Sequence, residues 1–461
     1  MRRELIFIVL CLMILLSFGY ISNLLANSDQ SHPCEEPKCN KEKNVVGLEI
    51  VNFTEDSNLQ KAGAKIGDII IKYNGEEVDC IKGLNALKKS VETSEVEIVL
   101  KRGEDEIKFT IPKGQIGVYL KEFVPDHKID ENAVIIEDIG QLGWSIGMEN
   151  SFLGAVYRIN EKFGQEVSYE DIVGLSGYAF RLQFFDGWCP SSPDATCGKD
   201  VGSEILKLLG YKFEIYHMKT EFMNEEMVKS AINEGEIRQI MMKSIDSGWP
   251  VIAIDLIEIP EWGLVTGYQK DGKEFFCRTY FDKTKGYEIA QKVPWAIFVI
   301  TDKGDVDITP QYKNSLLLAQ KLYNTEKFDN YFSGIKAIQE WIKDLQDEKY
   351  FTEIGDTQFE ETNLANWWIY YCLLDTRNIA TNYLSENINK FDVNEDLINE
   401  IIEKYKNEVE ILQNGFKNVP SQEMVQSGMK WDNELRNKQI DTLNEFLEIE
   451  IEVSNIIEKI K

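Results

Sequence analysis

Three histidines, His32, His127 and His217, supply all the imidazole in this chain. Activation of a thiol or hydroxyl near neutral pH most often uses that group, so the short supply restricts both nucleophilic catalysis and zinc chemistry. Cys189 and Cys197 flank a turn-rich loop (WCPSSPDATC), and either one with His217 would make an unfamiliar thiol–imidazole dyad. His217 sits in a strand-like run, YKFEIYHM, and the cysteines read better as packed or paired. Gly174-Leu175-Ser176-Gly177-Tyr178 approaches the nucleophile-elbow pattern, but Tyr178 stands where the tight turn needs glycine. Arg181 follows the apolar Tyr178-Ala179-Phe180 and is a candidate pocket cation for a carboxylate ligand, with Tyr268 as a second candidate pocket residue. A structural salt bridge is the plainer reading of that arginine.

The elements that must position such residues are spread over 461 positions, enough for roughly three domains. Hydrophobic residues make up 43% and charged residues 28%, which provides for cores and excludes a disordered chain. The formal net charge of −28 repels a phosphate backbone, so no nucleic acid partner is expected. Met1-Arg2-Arg3-Glu4 precedes an apolar run, residues 5–26. At ~1.5 Å per residue the run would reach about 33 Å as a helix, enough for a bilayer core. Residues 1–27 are therefore expected to be a transmembrane anchor or a signal peptide, followed by a linker at 28–43. Arg2 and Arg3 would stay inside, leaving the bulk extracytoplasmic, or secreted if the segment is cleaved. Outside the cytosol Cys189 and Cys197 become a candidate disulfide, as do Cys34 and Cys39. Four and seven intervening residues do not make a zinc pattern, and neither a metal nor a cofactor is expected.

Residues 44–118 alternate apolar and polar residues in short runs. Val45–Val51, Asp68–Tyr73, Val96–Leu100 and Ile107–Ile111 read as strands, with a tight turn at Asn74-Gly75. Ile81, Leu84, Leu87 and Val91 give one amphipathic helix over 80–92. Ala62-Gly63, Gly67-Asp68-Ile69-Ile70 and Asn74-Gly75 together resemble the PDZ domains of bacterial envelope proteases. That resemblance implies a β-barrel-like module that adds an extended peptide to a strand edge. It places the peptide at Gly47, Leu48, Glu49 and Ile50, beside Leu84 of the helix. Glu49 stands where the family has a small residue, so its carboxylate would oppose capture of a C-terminal carboxylate. A spacer that only packs on its neighbour is the alternative.

Residues 119–310 start helical, with Ser151–Phe163 the clearest helix, and then become β, an α+β order. Gly248–Leu256, Pro260–Gly272 and Phe275–Asp282 resemble a papain-like fold, closest in pattern to the N-terminal domain of butirosin-biosynthesis acyltransferase-like proteins. By that resemblance Ser151 takes the place of the nucleophilic cysteine, Glu261 that of the histidine and Asp282 that of the orienting carboxylate. No histidine follows His217, so thiol–imidazole chemistry has no base there. Glu261 would serve as a base for Ser151 only if burial raised its pKa. Residues 311–461 read as a helical bundle, with Trp367, Tyr371 and Leu374 on an apolar stripe that reads as core.

These readings combine into a multidomain α+β protein with an N-terminal transmembrane helix, a PDZ module, a papain-like domain and a helical bundle. The expected function is binding: a peptide or protein recognised through the PDZ module, with a papain-like domain that has lost its catalytic residues. An acyltransferase or peptidase using Ser151 and Glu261, or a regulator of an envelope protease, is the alternative.

Overall fold

The computed structural model describes residues 45–461 apart from 55, 79, 104, 115, 124–126, 186, 221–224, 422–423, 426–430 and 461. The apolar run 5–26 and the pair Cys34 and Cys39 lie outside the described residues. Two compact units form, residues 45–129 with 282–288 and residues 130–281 with 289–461.

The first unit is an antiparallel sheet covered by helices. Its strands run in the order Asp105–Pro112, Glu95–Arg102, Ile69–Tyr73, Gly47–Phe53, Val118–Phe123. The expected turn is present: Asn74 and Gly75 both take positive φ, 53° and 88°, the conformation that lets a two-residue turn follow strand twist. Alternation sets the inner face, where Leu48, Ile50, Ile70, Ile98 and Leu100 are buried with Leu84 of the helix Ile81–Ser90. Asp68 accepts hydrogen bonds from Arg102 at 2.7 and 2.8 Å and from the Lys65 amide at 2.7 Å. Burial works against its charge, but these donors hold the carboxyl below its usual range.

Gly47–Phe53 is not an open edge. It pairs with Ile69–Tyr73 on one side and along its length with Val118–Phe123 on the other. Gly47, Leu48, Glu49 and Ile50 therefore have no free ladder groups to offer a peptide on the sheet, and Leu84 belongs to the core. The strand that lies outermost, Val118–Phe123, begins where the expected module ends. Among the described residues nothing pairs with its outer side, and the helix Ile81–Ser90 packs against it.

The second unit holds a mostly antiparallel sheet in the order Glu274–Arg278, Trp262–Gln269, Val251–Ile254, Ala296–Lys303, Tyr211–His217. Val251, Ala253, Val265, Cys277 and Ile297 pack against Ile237 and Met241 of the helix Glu234–Asp246. A capping box at Asn233 and Glu236 starts that helix.

The helical tail shares this unit and is not separate from it. Tyr331–Ser333 pairs with Gln183–Phe185, so a strand of the tail extends the α+β segment. Arg377, in the long helix Asp356–Glu386, donates to the Ala179 carbonyl at 2.8 Å. Gly174 lies so close to the Tyr383 ring that an added Cβ would stand 2.3 Å from it.

The architecture is thus mixed α/β with the helical tail built into the second unit, which corrects the expected series of domains ending in an independent bundle; the expected transmembrane helix lies outside the described residues. Among the described residues no helix is long and apolar enough to cross a membrane.

Candidate functional site

The site is built at the start of the helix Ser151–Phe163. Asn150 caps it: its side chain accepts from the Leu153 amide at 3.0 Å, and its own amide donates to the Tyr169 hydroxyl at 3.1 Å. Phe152, Ala155, Val156 and Ile159 are buried on the inner face. Gly154 is required for space, since a Cβ there would meet the Tyr280 hydroxyl at 2.4 Å. That hydroxyl donates to the Met148 carbonyl at 2.6 Å and so ties the approach to the helix.

Ser151 is the first helical residue. Its hydroxyl donates to Glu261 Oε2 at 2.6 Å and accepts from the Trp262 amide at 3.3 Å. Glu261 directly precedes the strand Trp262–Gln269, so a strand start and a helix start meet through one hydrogen bond. The Trp262 indole donates to Asp194 Oδ2 at 3.0 Å, and its ring meets Phe152 edge-on at 5.0 Å.

Ser151, Glu261 and Asp194 line a cleft of about 510 Å³. Its aromatic lining comes from Trp144 and from Trp367, Trp368 and Tyr371 of the long helix; its acids are Glu149, Asp194 and Glu261. No lysine, arginine or histidine is among the lining residues described. Burial pushes Glu261 up to about 7, against the hydrogen bond from Ser151. Burial also pushes Glu149 up to about 7, against a hydrogen bond from Tyr371. Asp375, one turn beyond Tyr371, is raised to about 8 by burial and then by the charge of Glu149. Cys372 lines the cleft too, but burial and then Asp375 and Glu149 hold its thiol well above the usual range, so it stays protonated.

The structure brings together Ser151 and Glu261 of the residues expected at a site. Asp282 is not among the cleft residues and falls in the other compact unit. Arg181 is not a pocket cation for a carboxylate. Its guanidinium donates to the carbonyls of Pro193, Asp194, Cys197 and Lys199 and lies over the Tyr178 ring. It braces the loop that carries Asp194. Tyr268 lies away from the cleft, donating to Asp246 at 2.7 Å. Cys189 and Cys197 are free thiols, not a disulfide. His217 meets Ser230 Oγ at 3.4 Å, and His127 meets Glu288 at 2.9 Å.

Glu149 and the loop acid Asp194 carried no sequence signal as site residues. The aromatics were legible only as a stripe, Trp367, Tyr371 and Leu374, that reads as core; Trp367 and Tyr371, with Trp368, line the cleft instead.

No protein-family model matches the chain, and no curated protein matches it. The site is therefore read from its geometry.

Proposed function

We propose that this is a binding protein in which a papain-like cleft holds a ligand without turning it over, while a PDZ-like unit takes an extended peptide. The observation that carries the reading is the donor set around Ser151. Its hydroxyl is committed to a carboxylate, no imidazole among the described residues lines the cleft, and the thiol that does line it is held protonated. A carboxylate is a poor acceptor for a hydroxyl proton, and no lining cation would stabilise the alkoxide. In the first unit the outer side of Val118–Phe123, beside the helix Ile81–Ser90, offers ladder groups that no described strand pairs with, suited to strand addition. Tyr119 on that strand and Ile81 on that helix are exposed apolar residues suited to a peptide's side chains.

A second reading has its own support. Ser151 and Glu261 stand 2.6 Å apart, and a carboxyl raised to about 7 is a stronger base than an ordinary one. In that reading Ser151 Oγ attacks the acyl carbon of an ester while Glu261 takes its proton, and the ester's C–O bond breaks as Glu261 returns that proton to the departing alcohol, leaving the acyl group on Ser151.

The test is to incubate the full chain with activated acyl esters and extended peptides. Saturable peptide binding without ester turnover is expected. Turnover abolished by Ser151→Ala would replace the holding role with acyl transfer, and failure of every extended peptide to bind would reduce the first unit to a spacer.

A further inference from the structure

The cleft has a composition that selects among ligands. Three acids line it, and no basic side chain among the described residues answers them. Glu149 is 7% exposed, and its Oε2 has no hydrogen-bond partner. A buried acceptor left unpaired costs free energy, so a ligand that satisfies it gains that energy on binding. The rest of the lining is aromatic. Trp368 and Tyr371 stack at 5.7 Å between centroids, and Trp144 meets Trp368 edge-on at 6.4 Å.

We propose that this cleft binds an organic cation, an alkylated ammonium group, with Trp144, Trp368 and Tyr371 against the charged nitrogen and Glu149 and Glu261 as its counter-charges. The inference rests on the reading of the cleft as a holding site and names its ligand class. Aromatic faces attract a cation through the ring quadrupole, and the attraction grows as water is removed. An anion would meet three carboxyl groups at close range. A neutral apolar ligand would fill the volume but bring no positive charge to the three acids. Among the described residues no cluster of acids, histidines and cysteines suits a metal ion, and indole rings offer a hard cation no oxygen ligands. The raised carboxyls of Glu149 and Glu261 fit the same picture, because an entering ammonium group supplies the positive charge that the cleft lacks.

The experiment titrates the full chain with choline chloride, with its uncharged isostere 3,3-dimethylbutan-1-ol and with sodium butyrate, following tryptophan fluorescence and calorimetry. Choline is expected to bind about 10-fold or more tighter than the alcohol, the share that a desolvated cation–π contact and a buried counter-charge supply. Glu149→Gln and Trp368→Leu should each weaken choline about 10-fold, with circular dichroism unchanged. Glu149→Gln keeps the side-chain shape, so it remains informative if Trp368→Leu fails to fold. Equal or tighter binding of the alcohol or butyrate would overturn the cation assignment while leaving a holding cleft. Absence of binding by all three probes at about 10 mM would overturn both the assignment and the holding role.

Discussion

Two groups of buried carboxyls sit on or beside the same long helix, and the fold treats them oppositely. Glu408 and Glu450, from the helices Glu395–Gly415 and Asn433–Ile457, converge on Arg377, and all three side chains are fully buried. Arg377 Nε donates to Glu408 at 3.0 Å and to Glu450 at 2.7 Å. Burial, and then the charge of Glu450, raises Glu408 well above the carboxylate range. One guanidinium then faces two carboxyl groups, and the second is pushed toward its neutral form. Glu149, buried, and Glu261, half-buried, are also raised, but they face a cleft that no basic side chain among the described residues lines. The difference teaches that burial of an acid does not by itself mark structure or function. The presence of an internal cation marks structure, and its absence beside open volume marks a place for a ligand.

The largest expected effect removes the internal cation. Arg377→Met should destabilise the chain by about 3–5 kcal/mol in urea denaturation, because two buried acids lose their partner. Adding Glu408→Gln and Glu450→Gln should recover most of that loss, since an uncharged cluster has no unpaired charge to bury. A cost below about 1 kcal/mol for Arg377→Met would erase the distinction between the two regions.

A smaller effect comes from pH. Glu261 and Glu149 have folded values of about 7 against an ordinary 4.5, so the folded chain binds protons that the unfolded chain has released. Their stabilising contribution is complete below about pH 4.5 and is lost as pH rises toward 7. Glu261→Gln should flatten this fall by about 1–2 kcal/mol, a figure reduced from the full shift because the cleft admits solvent. Denaturation midpoints of the two proteins at pH 4.5 and pH 7.5 measure it; parallel pH profiles would mean that Glu261 titrates as an ordinary surface acid.

The smallest effect belongs to the hydroxyl between helix and strand. Ser151→Ala should cost about 1 kcal/mol, the loss of one hydrogen bond to a carboxyl group. It should also move Glu261 further up, because the Ser151 hydrogen bond is the interaction that lowers it. Carbonyl-region infrared difference spectra across the titration would show the move. A downward shift would mean that the hydroxyl does not stabilise the ionised form.

Much of the scaffold was legible. The alternation in the first unit marked its strands, and Asn74-Gly75 marked a turn whose two positive φ angles that pair tolerates. The helix at Ser151–Phe163 was readable from Phe152, Ala155, Val156 and Ile159, and the pairing of Ser151 with Glu261 came from a pattern of aligned positions. Strand neighbours were not legible. Gly47–Ile50 looks like an edge segment, and its burial between two strands depends on Val118–Phe123 returning to pair with it. Arg181 illustrates the same limit: no sequence rule distinguishes a guanidinium facing a ligand from one held by four carbonyls of a loop.

The sequence by itself determined which segments are strands and helices, because hydrophobic period, caps and turn residues act between near neighbours. It also determined that imidazole would be scarce. Tertiary structure alone decided which acids find a cation and which line a cleft. That outcome depends on solvation and charge at close range, between residues such as Ser151 and Glu261 that stand 110 positions apart in the chain.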